Sequence, residues 1–398
     1  MTSPVEHLLE ASEAMALAFD SKCEWLRGRN DQDRVPWQQN SVTVVVQREA
    51  LLEHSTLQAL GLKQTEWRSE FNLVFEGEMA KDAGGVLKEW LRELNSLLLS
   101  SSQGLYIFTG TDTVAYRPDP FSSPSNLHRL HGLILGKALF EGVPLNCRLA
   151  KSVFKQIVGK PVDFEDLRFV DLSIYNTLVY MRGNDITETV FETFSVEKRN
   201  ETEGTVRVVD LKPNGRHIPV TEESKTEYIR LRADWELGKD SPQIKGLVEG
   251  VHTVVRREWL QVFEPEELEL ALCGLSFIDV ADWEAYTVYK GSYHPDHQVV
   301  IWFWDLLNAV SQEQLSLLLQ FVMGTSRLPV EGFKTLRTMR GEPACFTIES
   351  APYSDSSPYP RAHTCFNRLD LPVYPSQSLL RKFLLYTIAN HAQGFGLE

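Results

Sequence analysis

The chain has 398 residues, a formal net charge of −14 and 43% hydrophobic residues, and this hydrophobic fraction is ordinary for a globular protein. The acidic balance excludes a chain-wide basic footprint, so we expect no nucleic-acid partner. Five scattered cysteines without a Cys-x-x-Cys pair exclude a disulfide scaffold and a structural zinc site.

The N-terminal sequence and the lengths of the apolar runs indicate in which cellular compartment the protein is expected. No apolar run reaches membrane-spanning length, and acidic residues stand near the N-terminus where a signal peptide would carry basic ones. We therefore expect no membrane span and an intracellular location, cytoplasmic with the nucleus as the alternative. The length predicts two or three domains.

The first third of the chain predicts helices separated by short strands. An amphipathic helix is predicted over 5–29, and β-rich runs occupy 42–46 and 71–76. The glycine pair at 84–85 predicts a tight strand-to-helix turn. A strongly apolar helix follows over 126–140.

The middle of the chain changes character. Short strand-like pieces alternate with polar turns over about 160–235, with a helix predicted from about 221. Residues 242–274 are predicted to be helical. The segment 289–298 contains glycine, serine and proline without apolar periodicity, which predicts a linker.

The last hundred residues predict a separate domain. A helix is predicted over 298–309, and a capping box at 311–314 starts a second one. Strand-like pieces follow at 344–349 and 363–366. The final helix begins after Ser376 and carries a two-sided apolar stripe.

Three motifs suggest ligands but have simpler interpretations. The run 132–138 lacks the glycine spacing and the Ser or Thr of a nucleotide loop, so it predicts a buried helix. The acidic run 264–269 is typical of a solvated first helical turn. His294 and His297 have metal-like spacing without a third ligand, so a surface linker is favoured. We expect neither a metal nor a cofactor.

The cysteines fall into two groups by their neighbours. Cys147, Cys273 and Cys345 stand among apolar residues and are predicted to be buried. Cys365 instead follows a proline-bearing loop and has His363 two residues before it, with arginines on both sides. Positive charge of this kind favours the thiolate form of cysteine.

The residues around Cys365 leave two interpretations open. Asn367 and Asp370 could hydrogen-bond to a neighbour and orient it. A phosphatase-type loop is excluded because position 371 is leucine, and a cysteine hydrolase would need a distant histidine base. Chemistry alone therefore leaves a core cysteine on a short strand and a nucleophile for acyl groups as alternatives.

The run AHTCFNRLDLPVY resembles the active-site segment of HECT-type ubiquitin ligases. Further segments are similar to this family and follow its order: FEGEMAKDAGGVLKEW, LKPNGRHIPVTEESKTEYI, ELELALCGLSFIDVADWEAYTVYKGSY, IWFWDLL, LLQFVMGTSRLPVEGF and the closing GFGLE. The resemblance extends over about residues 42–398, and within the family the chain is similar to the WW-domain-bearing subfamily.

The resemblance implies an α+β, bilobed fold. An N-terminal helical extension would cover 1–41, and a larger, mostly helical N-lobe would cover 42–290. A small strand-containing subdomain at about 178–235 would bind a conjugating enzyme. A hinge at 291–297 would lead to a smaller α/β C-lobe at 298–398.

The resemblance also implies an activity without a cofactor. Cys365 matches the cysteine that accepts ubiquitin from a conjugating enzyme as a thioester, before a substrate lysine takes it. His363 and Thr364 are expected to support that cysteine. Phe395 matches a tail phenylalanine that the family uses for transfer to lysine.

Partner-binding residues carry over from the resemblance as well. Tyr228 and Met181 are assigned to the conjugating-enzyme groove, and Gly291 and Ser292 to the hinge. Gln103 stands where many members of the WW-domain-bearing subfamily have a tyrosine that holds a second ubiquitin, so that site is in question. Protein substrates are expected to be bound through an adaptor or through domains N-terminal to this chain.

Overall fold

The computed structural model describes residues 10–77, 83–109, 115–122, 126–200, 205–274, 277–323, 328, 332–336 and 344–391. Helices in these ranges are α1 (Ala11–Ala14), α2 (Phe19–Asp33), α3 (Leu51–Ala59), α4 (Gln64–Trp67), α5 (Ala83–Leu99), α6 (Asn126–Glu141), α7 (Lys151–Val158), α8 (Leu172–Gly183), α9 (Lys225–Glu236), α10 (Pro242–Val254), α11 (Arg257–Leu260), α12 (Pro265–Cys273), α13 (Val280–Ala285), α14 (Gln298–Ala309), α15 (Gln312–Met323) and α16 (Gln377–His391). Strands are β1 (Ser41–Val46), β2 (Glu70–Phe75), β3 (Tyr106–Phe108), β4 (Tyr116–Pro118), β5 (Ser195–Asn200), β6 (Thr205–Asp210), β7 (Thr287–Lys290), β8 (Phe346–Ala351), β9 (Arg361–His363) and β10 (Arg368–Pro372).

The described residues form two compact units. The first unit lies within 1–96, 137–147 and 270–398, and the second lies within 97–136 and 148–269. The lobe boundaries implied by the resemblance divide the chain differently, and they stay predictions.

The N-terminal part of the first unit contains the parallel pair β1 and β2. The two strands run in register from Ser41 opposite Glu70 to Val46 opposite Phe75. Their side chains alternate between exposed and buried positions, which is the period-2 pattern of a half-buried sheet. On the buried face, the ring of Phe71 lies 6.2 Å from the ring of Trp90 in α5.

The end of α6 carries a buried ion pair in this unit. The Nζ of Lys137 lies 2.7 Å from Glu141, and it donates to the carbonyl oxygens of Trp67 at 3.0 Å and Ser69 at 2.9 Å. Arg34, just after α2, approaches Glu141 at 3.0 Å. The three Lys137 protons therefore all have acceptors, as a buried ammonium requires.

The C-terminal part of the first unit is a mixed sheet covered by helices. The strand order is β7-β8-β10-β9, with β7, β8 and β10 parallel and β9 antiparallel to β10. Its core extends from Ile278 to Ile388 and includes residues of α13, α14, α15 and α16. Trp283 of α13 is central to this core, because it stacks on Phe333 at 4.7 Å and meets Phe346 edge-on at 5.1 Å.

The second unit depends on close packing between α6 and α10. A Cβ atom built on Gly132 would lie 1.9 Å from the carbonyl oxygen of Leu247, and one built on Gly250 would lie 2.3 Å from that of Arg129. Glycine is therefore required at these positions because the two backbones approach each other too closely for a side chain. The predicted buried helix over 132–138 is confirmed.

A smaller core within the second unit joins α8, α9 and residues that flank the β5–β6 hairpin, such as Phe194 and Leu211. It contains Met181, Phe194 and Tyr228, and the rings of Phe194 and Tyr228 meet edge-on at 5.5 Å. The ammonium group of Lys212 forms a cation–π contact with Phe194, and its Nζ lies 3.6 Å from the centre of that ring.

The predicted elements agree with the structure at most positions. The strands at 42–46 and 71–76 and the helices at 126–140 and 298–309 are confirmed. Ser311 and Gln314 form both hydrogen bonds of the predicted capping box.

Other predicted elements are wrong. The helix over 5–29 is interrupted between α1 and α2 within its described part, and α8 lies in a region predicted to be strands and turns. Residues 289–290, predicted as linker, belong to β7 and pair with β8 in the central sheet.

Candidate active site

Cys365 lies in a short 3-10 turn between two antiparallel strands. β9 ends at His363, the turn covers Thr364–Phe366, and β10 begins at Arg368. The cysteine is thus on a connection between strands, which corrects the predicted strand over 363–366. The side chain of Cys365 lies outside the described residues.

Asn367 closes this turn and fixes it to β8. Its φ of 50° is in the left-handed region, which asparagine tolerates better than most residues. Its side chain is only 1% exposed and donates to the carbonyl oxygen of Ala344 at 3.1 Å. Its own carbonyl accepts from the backbone N–H of Thr347 at 2.9 Å. The segment that carries Cys365 is therefore held in a defined position beside the start of β8.

The strands on either side of the turn have one apolar and one charged face. Leu369 and Leu371 of β10 and Ile348 of β8 are fully buried in the core. Their neighbours alternate to the opposite face, as strand geometry requires. There the register places His363 opposite Arg368.

The charged face forms a chain of close contacts. The Nε2 of His363 lies 2.8 Å from the Oδ2 of Asp370. Arg368 lies between two carboxylates, with its Nε 3.0 Å from the Oδ1 of Asp370 and its other end 3.0 Å from Glu349. The contact between Arg368 and Asp370 lacks hydrogen-bond geometry, so it is an ion pair only.

These side chains are roughly one-fifth to two-fifths exposed, so solvent screens their attraction. Exposed ion pairs contribute about 0–1 kcal/mol each to stability. The network therefore matters more for holding side chains in one orientation than for stability. It keeps the imidazole of His363 in a fixed orientation two residues from Cys365.

Buried tyrosines anchor the segments next to the site. The hydroxyl of Tyr374 donates to the carbonyl oxygen of Pro358 at 2.7 Å, which ties the loop before β9 to the end of β10. The hydroxyl of Tyr293 lies 3.0 and 2.9 Å from the carbonyl oxygens of Leu371 and Pro372. Burial raises the pKa of both phenols, so both remain protonated donors at neutral pH.

Exposed aromatic side chains occur in the turn and in the loop before β9. Phe366 is 61% exposed beside Cys365 in the chain. Tyr359, in the loop before β9, contacts Phe383 at 5.4 Å and Tyr386 at 5.6 Å between ring centres, and it remains partly exposed. Rings of this kind present a flat surface that is typical of protein contacts.

Two of the three cysteines that were predicted to be buried are buried, and the third is exposed. Cys147 and Cys273 are buried, and the thiol of Cys273 donates to the carbonyl oxygen of Cys147 at 2.7 Å. Cys345 is exposed, so its predicted burial is wrong. It lies immediately before β8, so it is not among the strand residues whose side chains are buried in the core.

The predicted hinge residues lie on the opposite edge of this sheet from Cys365. Gly291 and Ser292 follow the end of β7, and the backbone N–H of Ser292 donates to the Oγ of Ser350 at 2.8 Å. Tyr293 is buried. β7 and the later strands share one sheet, and Gly291 and Ser292 follow its edge strand. Their assignment to a hinge at 291–297 stays a prediction.

The predicted partner-binding residues are interior. Met181 is 1% and Tyr228 is 3% exposed, and burial raises the pKa of the Tyr228 hydroxyl. Both side chains belong to the small core of this unit. Their assignment to a conjugating-enzyme groove stays a prediction.

The exposed apolar residues of that subdomain were missed from the sequence. Phe191 is 88% exposed, and Tyr180 and Leu172 of α8 are about half exposed. Helical periodicity would have separated Tyr180 from Met181 had α8 been predicted. Exposed apolar side chains are candidates for a binding surface when they form a patch.

The other predicted site residues are placed as follows. Thr364 begins the turn with Cys365, while Phe395 lies outside the described residues. The Nδ1 of His297 accepts from the backbone N–H of Val299 and so caps α14. Across the described ranges, no three His, Cys, Asp or Glu side chains come together as a metal site.

No helix in the described part of the chain combines the length and the apolar character needed to cross a membrane.

Known proteins are similar in sequence to this chain over most of its length. A protein described as "E3 ubiquitin-protein ligase TOM1-like" from Neurospora crassa is 40% identical over 332 residues, which cover 82% of this chain and 8% of that protein. "E3 ubiquitin-protein ligase ptr1" from Schizosaccharomyces pombe is 35% identical over 387 residues, or 96% of this chain and 12% of that protein. "E3 ubiquitin-protein ligase UPL2" from Arabidopsis thaliana is 35% identical over 405 residues, or 98% and 11% respectively.

The chain therefore spans about a tenth of the length of these relatives. Residues 92–398 match the family described as "HECT-domain (ubiquitin-transferase)", and this match includes the Cys365 turn and the charged face beside it. The chain belongs to the HECT-domain family of ubiquitin transferases.

Proposed function

We propose that this chain is a HECT-type ubiquitin-protein ligase in which Cys365 carries ubiquitin as a thioester. The observation that carries the proposal is family membership over residues 92–398, a range that contains Cys365. The turn that holds Cys365 supports it, because a connection between strands presents a side chain better than a strand interior does.

The first step transfers ubiquitin from a conjugating enzyme to Cys365. The Cys365 thiolate attacks the thioester carbonyl carbon at the ubiquitin C-terminus. A new carbon–sulfur bond forms, the bond to the conjugating enzyme's cysteine breaks, and the released thiolate takes up a proton. The reaction exchanges one thioester for another, so it requires access and thiolate character at the acceptor.

The second step transfers ubiquitin to a substrate lysine. The unprotonated amine attacks the Cys365 thioester, an amide bond forms, and Cys365 leaves as a thiolate. The amine must lose a proton for this step, so a proton acceptor close to Cys365 would accelerate it. We assign supporting roles in these steps to His363 and Thr364, and a role in lysine transfer to Phe395.

The cationic side chains near the turn fit the first step. Arg361 and Arg368 flank the turn on β9 and β10, on the same face as His363. Positive charge near a cysteine favours its thiolate form.

We propose that the conjugating enzyme binds the small subdomain of the second unit. Phe191, Tyr180 and Leu172 offer exposed apolar side chains there, and burial of such side chains drives most protein association. We assign Met181 and Tyr228, which lie in the core of the same subdomain, to the groove that binds the conjugating enzyme.

The proposal also covers how protein substrates are bound. Because the relatives are about ten times longer than this chain, we propose that substrates bind through domains outside it or through an adaptor. The bilobed division, movement of the C-lobe and an intracellular location belong to the same proposal. Whether Gln103 permits a second ubiquitin site is left open by it.

A non-reducing gel tests the thioester. The protein is mixed with activating enzyme, ATP, labelled ubiquitin and each member of a broad panel of conjugating enzymes. We expect a ubiquitin adduct that reducing agent removes and that Cys365→Ala abolishes. Absence of the adduct with every conjugating enzyme would contradict the proposal.

Cys345 provides the matched control for this experiment. It is exposed and chemically identical, and it stands before β8 rather than in the turn. Cys345→Ala is expected to leave the adduct unchanged. An adduct that survives Cys365→Ala but disappears in Cys345→Ala would show that Cys345 carries the thioester, which would contradict the proposal.

A further inference from the structure

We propose that Asp370 is a positioning residue for ubiquitin transfer, acting through the imidazole of His363. This inference rests on the proposed function, since it gives His363 the role of proton acceptor for the Cys365 thiol. It assigns to β10 a side chain that directs the chemistry of the preceding turn.

The position of Asp370 follows from strand geometry. Register places His363 opposite Arg368 and Asp370 opposite Arg361, so His363 and Asp370 are diagonal neighbours on one face. The 2.8 Å contact between Nε2 of His363 and Oδ2 of Asp370 spans this diagonal. The opposite face of β10 is buried, so Asp370 cannot turn away from His363 into the core.

The contact at Nε2 determines what the other nitrogen can do. A carboxylate accepts hydrogen bonds and does not donate them, so Nε2 of His363 carries the proton in this pair. The neutral imidazole then has its lone pair on Nδ1, which can accept a proton. Cysteine and serine enzymes use the same order, in which a carboxylate orients the base and the base serves the nucleophile.

Arg368 and Glu349 keep Asp370 in place. Arg368 forms an ion pair with Asp370, and Glu349 holds the other end of the guanidinium. Arg361 is the remaining charged residue of β9 on this face. Asp370 is therefore restrained from β8 and β9 as well as by its own strand.

The proton balance of transfer from the conjugating enzyme is as follows. The Cys365 thiol gives its proton to Nδ1 of His363, and the thiolate attacks the thioester carbonyl carbon. The carbon–sulfur bond to the conjugating enzyme breaks, and the released thiolate takes the proton back from the imidazolium. Asp370 gives up and takes up no proton in this step, and its oxygen accepts the Nε2–H hydrogen bond that orients the imidazole.

Single-turnover transfer from a charged conjugating enzyme tests this role. Asp370→Ala is expected to lower the maximal transfer rate about tenfold or more, since general acid–base catalysis contributes about 10²–10⁴-fold. The concentration of charged conjugating enzyme that gives half the maximal rate should stay unchanged. Asp370→Asn, which keeps an acceptor oxygen without the charge, should fall between Asp370→Ala and the wild type.

A double-mutant cycle separates action through His363 from a structural effect. If Asp370 acts through His363, the variant with both His363→Ala and Asp370→Ala should be no slower than His363→Ala alone. Rates that multiply, or an Asp370→Ala rate within twofold of the wild type, would overturn the inference. Asp355→Asn, a carboxylate-to-amide change on a surface loop where Asp355 binds Tyr353, is the matched control and should leave the rate unchanged.

Alkylation of the thiol distinguishes failure of this inference from failure of the proposed function. Iodoacetamide labelling, read by mass spectrometry at each cysteine, needs no ubiquitin and no conjugating enzyme. Asp370→Ala should slow labelling of Cys365 severalfold, with the exposed Cys345 of the same molecules as the internal reference. Equal labelling of Cys365 in wild type and variant would contradict the inference even if the ligase reaction were found.

Discussion

Two pairs of charged side chains in this molecule differ in burial, and burial decides what each pair does. His363 and Asp370 are partly exposed, so their contact contributes little to stability and mainly orients the imidazole. Lys137 and Glu141 are almost fully buried, so each charge depends on its partner. The same chemical contact therefore serves orientation near Cys365 and stability at the end of α6.

Replacing Lys137 tests the buried pair. Lys137→Met leaves Glu141 buried beside Arg34 but without the lysine, and should lower the unfolding free energy by about 3–5 kcal/mol. Urea unfolding followed by circular dichroism measures the change. Lys239→Met, at a side chain about half exposed, is the control and should change stability by less than about 0.5 kcal/mol. Equal effects of the two substitutions would contradict this assignment.

Acidification provides an independent test of Glu141. Burial alone would raise the pKa of Glu141, but Lys137 and Arg34 outweigh burial and hold this pKa below its usual range. A lowered folded-state pKa contributes stability above the unfolded pKa of 4.5 and loses it as pH falls through the folded value. The stability difference between wild type and Glu141→Gln should therefore be largest near neutral pH and shrink below pH 4.5. A difference that is constant from pH 7 to pH 3 would exclude this linkage.

At the scale of elements, glycines decide how closely α6 and α10 pack. Gly132 and Gly250 lie where a Cβ atom would enter the backbone of the opposite helix. Gly246 lies in α10 as well, but a Cβ there would be 3.6 Å from its nearest atom, which is ordinary contact. Gly132 and Gly250 therefore leave no room for a side chain, whereas Gly246 in the same helix pair has room for a methyl group.

Alanine substitutions test this difference. Gly132→Ala should destabilise the protein by more than about 2 kcal/mol, because the α6 and α10 backbones must separate. Gly246→Ala should stabilise it by about 0.5–1 kcal/mol, because alanine has the higher helix propensity. Thermal unfolding of the two variants measures both effects. A Gly132→Ala variant as stable as the wild type would show that the helices separate without cost.

The elements that could be predicted from the sequence are those with complete local signals. The helix over 298–309 and the capping box at 311–314 needed only periodicity and cap residues. α8 was missed because it lies in a stretch where strand-like pieces on either side dominate the pattern. Within the predicted linker 289–298, residues 289–290 belong to β7, because a polar composition does not reveal that β7 pairs with β8, whose partner residues are about sixty positions away.

The same reasoning explains what could be predicted of the site. Charge around Cys365 was readable from its neighbours in the chain, including Asp370. The contact between His363 and Asp370 required the register of β9 on β10, which a single sequence does not give. Burial of Met181 and Tyr228 likewise depends on the packing of α8 against α9.

At the scale of the whole molecule, the proposed activity requires two different surfaces. The C-terminal sheet of the first unit carries the reactive turn, and the small subdomain of the second unit carries the exposed apolar side chains. One surface performs chemistry and the other binds a partner. Substitutions in the two surfaces should therefore affect different kinetic quantities.

Phe191→Ala tests the partner surface directly. Since Phe191 is 88% exposed, its loss should leave folding unchanged but raise the half-saturating concentration of charged conjugating enzyme about tenfold or more. The maximal transfer rate and iodoacetamide labelling of Cys365 should not change, in contrast to Asp370→Ala. Leu57→Ala, which removes an apolar side chain that is 72% exposed from α3, is the control and should change neither quantity. If Phe191→Ala and Leu57→Ala behaved alike, the conjugating enzyme would have to bind outside the small subdomain, since the most exposed apolar side chain there would contribute nothing.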